Sequence, residues 1–192
     1  MKKLSVFLAV MAAVGLSAAT TANAANNGKL MFKGTLTATT CEVLPGAGTG
    51  GGAAGEINVD LGNVSFRDIG TFAQGNLSTK EDIQLLVTCN GGGQPDSVKM
   101  RLVASQGSGL DLQEPKLLRT SGDAKGVGIG LINSNSQLMS LNGNETIDAD
   151  FVPDGLGNST ATLDFAAVYV LNNVNTVPGS ADGYLPFVMD YQ

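Results

Sequence analysis

The sequence predicts an all-β fold, an antiparallel sandwich or barrel, and three observations carry that expectation. Apolar residues come in short alternating runs, and Gly, Asn, Ser and Asp punctuate them. Beyond residue 24 no window of 11 or more residues carries a 3.6-residue apolar period. Alternation sends every second side chain to one face, which is how a half-buried strand reads.

The runs follow in order along the chain. Leu30, Phe32 and Leu36 lead toward Cys41, and Ile57 to Leu61 alternates strictly. Ile83 to Cys89 and Val98 to Val103 come next. Val127, Ile129 and Leu131 then alternate with Gly128, Gly130 and Ile132. Thr160 to Leu171 and Tyr184 to Tyr191 are the last and longest. Turn dipeptides stand between runs at Asn90-Gly91, Asn142-Gly143, Asp154-Gly155 and Asp182-Gly183. A helical turn is expected only within Arg67 to Gly75. Gly46 to Gly55, nearly all Gly and Ala with one Thr, reads as a flexible surface loop. In Gly126 to Gly130 the glycines read as places where another backbone approaches closely or a bulge forms.

The first 24 residues have an export layout. Lys2 and Lys3 precede an uncharged apolar stretch from Leu4 to Leu16, and Ala22-Asn23-Ala24 supplies the small residues of a cleavage site. The alternative is an N-terminal membrane anchor, although the stretch falls short of the ~20 apolar residues a membrane helix needs. Cleavage is expected after Ala24, with Ala22 and Ala19 as other candidates. One domain would follow, residues 41–192, preceded by a leader strand in 25–40. Removing Lys2 and Lys3 from the 11 basic residues, against 17 acidic ones, takes the net charge from −6 to −8. An acidic surface without basic clusters argues against nucleic acid as a partner.

Cys41 and Cys89 are the two cysteines of the chain. In an oxidising compartment an even pair reads as one disulfide, the other possibility being two free thiols. Closing that loop would stabilise by ~3–4 kcal/mol in the chain-entropy model.

The chemistry of catalysis is sparsely represented. The chain has no His, so the usual general base is missing, and bridged cysteines would remove the thiol nucleophile. Asp148 and Asp150 lie two apart on one strand face and read as solvated surface. Gly46 to Gly55 lacks the Lys-Ser/Thr ending of a phosphate loop. No metal or cofactor site is expected, because there is no His, no free Cys and no Asp-rich calcium loop.

The ends of the chain are more informative. Leu185, Phe187, Met189 and Tyr191 alternate up to the terminal Gln192, and Gly179 stands fourteenth from the end. Pro186 cannot donate to a ladder, which points to an edge that is not continuously paired. At the front, Gly28, Leu30, Phe32 and Gly34 share one parity ahead of Cys41. This constellation resembles the subunits of chaperone–usher fimbriae, the type 1-like pilin family. Those subunits carry a penultimate Tyr, an alternating apolar C-terminal strand, a Gly fourteen from the end and an alternating N-terminal extension.

The resemblance implies an incomplete immunoglobulin-like sandwich lacking its last strand, completed by donor-strand exchange. It implies that Gly28, Leu30, Phe32 and Gly34 form the donor strand, with Leu30 and Phe32 filling pockets. Gly179, Leu185, Phe187, Met189, Tyr191 and Gln192 would belong to the strand and groove that receive a donor. A periplasmic chaperone would bind that groove first, its basic cleft holding the Gln192 carboxylate. An outer-membrane usher and neighbouring subunits, in a homopolymer or a mixed fibre, would follow. The subunit would pass through the periplasm to a cell-surface fimbrium that supports adhesion. The alternatives are a minor or tip-adaptor subunit, a monomeric carbohydrate-binding sandwich and, third, a hydrolase. Residues 27–36 could also form an ordinary first strand of the chain's own body.

Overall fold

The computed structural model describes residues 30–31, 40–51, 55–70, 77–91, 93–172 and 175–192. The residues expected to form an export segment and most of the expected N-terminal extension, including Gly28, Phe32 and Gly34, lie outside them. The described residues form twelve strands: β1 (Leu30–Met31), β2 (Thr40–Pro45), β3 (Gly50–Gly51), β4 (Glu56–Asn58), β5 (Glu81–Asn90), β6 (Ser97–Val103), β7 (Leu118–Arg119), β8 (Val127–Ile132), β9 (Asn142–Asp150), β10 (Val152–Pro153), β11 (Asn158–Leu171) and β12 (Phe187–Tyr191). A single 3-10 turn, Ala104–Gln106, is the one helical element among the described residues, so none of their helices is long and apolar enough to cross a membrane.

These strands make an all-β, immunoglobulin-like sandwich. One main sheet runs β2-β5-β11-β8-β7, with β10 also on β11, the other runs β12-β6-β9, and a third, small sheet runs β1-β4-β3. Every strand pairing is antiparallel. Alternation in β5 buries Ile83, Leu85, Val87 and Cys89, and alternation in β6 buries Val98, Met100 and Leu102. The two sets face each other across the main core, which also takes Leu163 of β11 and Ile147 of β9. Burying one such side chain is worth ~1.5–3 kcal/mol, so these few positions specify which face is inside.

The longest strand changes character halfway along. In β11, Ser159 to Asp164 alternates buried and exposed, whereas Ala166, Ala167 and Val168 are all buried. A second cluster explains the change: Leu117, Ile132, Ala166, Val168 and Val170 pack on the outer face, beneath Leu77 and Leu138. A strand covered on both faces needs continuous rather than alternating apolarity. The glycines of β8 fit the same packing. A Cβ at Gly128 would lie 2.8 Å from Leu117 Cβ, and one at Gly130 would lie 2.6 Å from Leu138 Cδ1.

Cys41 and Cys89 are directly opposite in the β2–β5 ladder and form the disulfide. Between β9 and β10 the chain passes from one sheet to the other, with the Phe151 N–H donating to Asp96 O at 2.9 Å.

Several expectations need correction. The strand expected over Ile57 to Leu61 is only Glu56–Asn58, because Val59 and Leu61 pack on the core from a stretch with no strand partner among the described residues. Asp182 is a bridge partner of Ser121, so Asp182-Gly183 is no hairpin turn. Asn142-Gly143 opens β9, where the Asn144 N–H donates to Asn142 Oδ1 at 3.0 Å. In the Arg67 to Gly75 interval the described part is a single turn, in which the Ile69 N–H donates to Ser65 O at 3.1 Å.

The described start of the glycine-rich stretch, Gly46 to Gly48, also departs from its reading as a flexible loop. The Gly46 N–H donates to Gln84 O, and the Gln84 N–H donates to Ala47 O, both at 2.9 Å. At Gly48, φ is +71° and a Cβ would fall 1.8 Å from Asp82 O. Glycine is present there for close docking on β5.

Candidate functional site: an apolar groove beside the last strand

β12 is the outermost strand of its sheet among the described residues. Its register on β6 pairs Phe187 with Leu102, Met189 with Met100 and Tyr191 with Val98. The Gln192 N–H donates to Ser97 O at 2.9 Å, and the Ser97 N–H donates back to Gln192 O at 3.0 Å. In an antiparallel ladder such doubly bonded pairs recur every second residue. Asp190, Val188 and Pro186 therefore turn their peptide groups toward β6. Leu185, Phe187, Met189 and Tyr191 turn theirs to the opposite edge.

Pro186 falls on the paired side: its carbonyl accepts from the Val103 N–H at 2.9 Å. The missing proline donor is thus lost to β6, so the edge that Pro186 interrupts is the one paired with β6. The outward edge carries the N–H donors of Leu185, Met189 and Tyr191.

The same four residues face the core with their side chains. Leu185 and Phe187 are buried, while Met189 and Tyr191 are partly buried against the main cluster. Beside Leu185 and Phe187 lies a cavity of about 730 Å³. Leu85, Leu102, Ile129, Leu131, Leu185 and Phe187 contribute its apolar lining. Residues 57–66 border one side and residues 178–183 another. The second border is tied to the chain at 121–125, through Ser121 with Asp182 and Lys125 with Val177.

Gly179 belongs to that border. A Cβ there would lie 2.7 Å from both Ala124 N and Asp123 Cβ, so glycine lets the border seat against 123–124. Tyr169 spans the cavity to the same border, its hydroxyl donating to Ala181 O at 2.9 Å. Burial, and then the charges of Asp182 and Asp60, raise the Tyr169 pKa above the ordinary phenol value. Burial alone raises that of Tyr191.

The ionisable side chains on the cavity are Asp60, Asp182 and Tyr169. With no His in the chain and Cys41 bridged to Cys89, the cavity holds acids but neither a neutral base nor a thiol. What it offers is apolar pockets beside a row of peptide groups. That arrangement suits an extended apolar peptide, which needs both. No group of three or more metal-ligating side chains occurs among the described residues. Asp148 and Asp150 are exposed on one face of β9, away from the cavity.

The N-terminal residues assigned to a donor strand are described only in part. Leu30 pairs with Ile57 of the same chain, and Met31 with Glu56. Ile57 also lines the cavity, so β1 runs along its border. Gln192 is exposed, and one oxygen of its main-chain carboxylate accepts from the Asp96 N–H as well as from the Ser97 N–H. Sequence reasoning missed both borders, 57–66 and 178–183. Only the Gly179 spacing hinted at the second.

The model of a protein family described as fimbrial protein matches residues 30–192. No curated protein matches the chain. Among solved structures, the chain is similar to an antigen and type I fimbria protein of Burkholderia pseudomallei. That match has 21% identity and a TM-score of 0.46, covering 80% of this chain and 99% of the other. It is also similar to the CupB6 tip adhesin of Pseudomonas aeruginosa, at 16% identity and a TM-score of 0.40. There the match covers 58% of this chain and 33% of the adhesin, about a third of its length.

Proposed function

Because the chain belongs to the fimbrial protein family, we propose that it is a structural subunit of a bacterial chaperone–usher pilus, joined to its neighbours by donor-strand exchange. The observation that carries this reading is the coincidence of two things at the last strand: peptide groups of Leu185, Met189 and Tyr191 turned away from β6, and an apolar cavity that Leu185 and Phe187 line. A sheet edge next to exposed apolar pockets is a liability in a lone molecule and a socket in an assembly.

The neighbouring subunit's Gly28, Leu30, Phe32 and Gly34 fill the socket. Leu30 and Phe32 contribute ~1.5–3 kcal/mol each when fully buried, and each backbone bond adds ~0.5–1.5 kcal/mol. A periplasmic chaperone occupies the socket first and holds the Gln192 carboxylate, and the outer-membrane usher directs the exchange. The fibre, a homopolymer or a mixed one, stands on the cell surface and supports adhesion. Its subunits bind one another and catalyse nothing.

The pairing of Leu30–Met31 with Glu56–Ile57 in the same chain favours a second reading, in which residues 27–36 are a strand of the chain's own body. Deleting residues 25–34 separates the two. Under strand exchange the shortened chain accumulates with its chaperone and does not polymerise. Under the second reading its body loses stability and it fails to accumulate. Normal fibres from the deletion, seen by electron microscopy, would overturn both.

A further inference from the structure

We propose that consecutive copies of this chain also touch body to body, through the β10–β11 hairpin of one copy and the loop 107–117 of the next. This rests on the strand-exchange reading above and adds a second contact to it.

The two most exposed large apolar residues of the described chain are Leu156, 88% exposed, and Leu112, 80% exposed. They sit at opposite ends of one strut. Leu156 is in the turn that leads into β11, and Leu112 is in a loop fastened just beyond its other end. The fastening is a buried hydrogen bond, Asn172 Nδ2 to Asp111 Oδ2 at 2.7 Å. Fourteen residues of β11 hold the two leucines about 45 Å apart.

Both leucines stand on turns braced by an aspartate. Asp154 Oδ1 accepts the Leu156 N–H at 2.7 Å and the Asn158 N–H at 3.0 Å. Asp111 Oδ1 accepts the Gln113 N–H at 2.8 Å and the Glu114 N–H at 3.1 Å. Scattered exposed leucines are ordinary on a surface. Two presented on braced turns at opposite poles have the geometry of a head-to-tail contact, which needs two different patches.

The tether supplies the partner. Thr40 lies opposite Asn90, and Asn90 lies opposite Asn158, so the N-terminal extension leaves the body about 10 Å from the start of the Leu156 strand. With Gly34 held in a neighbour's groove, the six steps to Thr40 span at most about 20 Å. That end of the body is therefore drawn close to the neighbour.

Every strand pairing described in this chain is antiparallel. A donor entering antiparallel to β12 leaves its Gly34 end beside Leu185. There the neighbour presents the loop 107–117, since its Ser108 N–H donates to Tyr184 O at 2.8 Å and the Tyr184 N–H donates to Ser108 Oγ at 2.9 Å. The braced Leu156 turn of one copy thus meets the Leu112 loop of the next.

The test uses full chains assembled into fibres with their chaperone and usher, carrying Leu156→Cys and Leu112→Cys together, with each single variant as control. Under mild oxidation the double variant should give a ladder of covalent multimers on a non-reducing gel, and neither single variant should. The two sites are too far apart in one copy to bridge internally. Normal fibres without a ladder would overturn the proposal and leave strand exchange standing. Covalent dimers from a single variant in the yield of the double variant's bonds would overturn it as well. If the added thiols block assembly, Leu156→Ser replaces them: fibres should form yet shear to at most half the normal mean length. Unchanged shear length would count against the contact. Fibres that survive deletion of residues 25–34 would instead refute the reading beneath it.

Discussion

Gln192 and Ser97 exchange a pair of backbone hydrogen bonds, 2.9 and 3.0 Å long, and this pair sets which peptide groups of β12 look outward. Counting back by twos, Val188 and Asp190 are spent on β6, while Leu185, Met189 and Tyr191 turn theirs to the opposite edge. Amide hydrogen exchange should record the difference. In the free subunit the Val188 and Asp190 amides should exchange slowly and those of Met189 and Tyr191 quickly. In the fibre, Met189 and Tyr191 should slow by tenfold or more. Equal protection of all four in the free subunit would contradict this parity.

Gly48 should tolerate no side chain. With φ at +71° and a Cβ placed 1.8 Å from Asp82 O, Gly48→Ala forces β2 and β5 apart. A loss of ~2–4 kcal/mol is expected from the left-handed backbone and the clash together. Gly50→Ala meets only Asn58 O at 4.0 Å and should stay within ~0.5 kcal/mol of the parent. Urea midpoints compare the two, and a neutral Gly48→Ala would restore the flexible-loop reading.

Removing the disulfide by Cys41→Ser with Cys89→Ser should lower stability by ~3–4 kcal/mol. The bridge joins β2, an outermost strand of its sheet, to β5. Protease cleavage should therefore appear first within residues 40–51. Cleavage spread evenly over the chain would mean that the bridge steadies the whole sandwich.

Stability should fall at alkaline pH. Burial raises the Tyr169 and Tyr191 phenols, and Asp182 and Asp60 raise Tyr169 further. Above the ordinary value of 10.0 an unfolded chain loses these protons while the folded one still holds them. Unfolding then releases protons, and stability drops as pH climbs through the raised values. Tyr169→Phe should cost ~1 kcal/mol at neutral pH, for the hydrogen bond to Ala181, and should flatten the alkaline decline. Unfolding midpoints from pH 7 to pH 11 check both effects.

Much of the architecture is legible because alternation is a local property. Ile83 to Cys89 and Val98 to Val103 announce their buried faces residue by residue, and β5 and β6 bury those residues. The switch in β11 from alternating to continuous apolarity can also be read in the letters, although only the second cluster explains it. Glycine is where reading fails. The residue that serves a flexible linker also serves a backbone docked against its neighbour, and Gly46, Gly48 and Gly179 are the docked kind.

The orientation of β12 was legible in half. Leu185, Phe187, Met189 and Tyr191 declare one face by their spacing, and β12 turns it to the core. Spacing does not say which edge of a strand is paired, because backbone hydrogen bonding is indifferent to the side chain, except at proline. There the expectation named no edge, and the structure supplies it: Pro186 faces β6.

The chain's own letters determined the sheet class, the inward face of each long strand and the pair of cysteines, all of which follow from local spacing and side-chain polarity. The tertiary structure decided the order of strands, the outward edge of β12 and the cavity between residues 57–66 and 178–183. Those depend on contacts between residues far apart in sequence, such as Ser97 with Gln192 and Gly179 with Ala124, whose energies exist only once the chain has closed on itself.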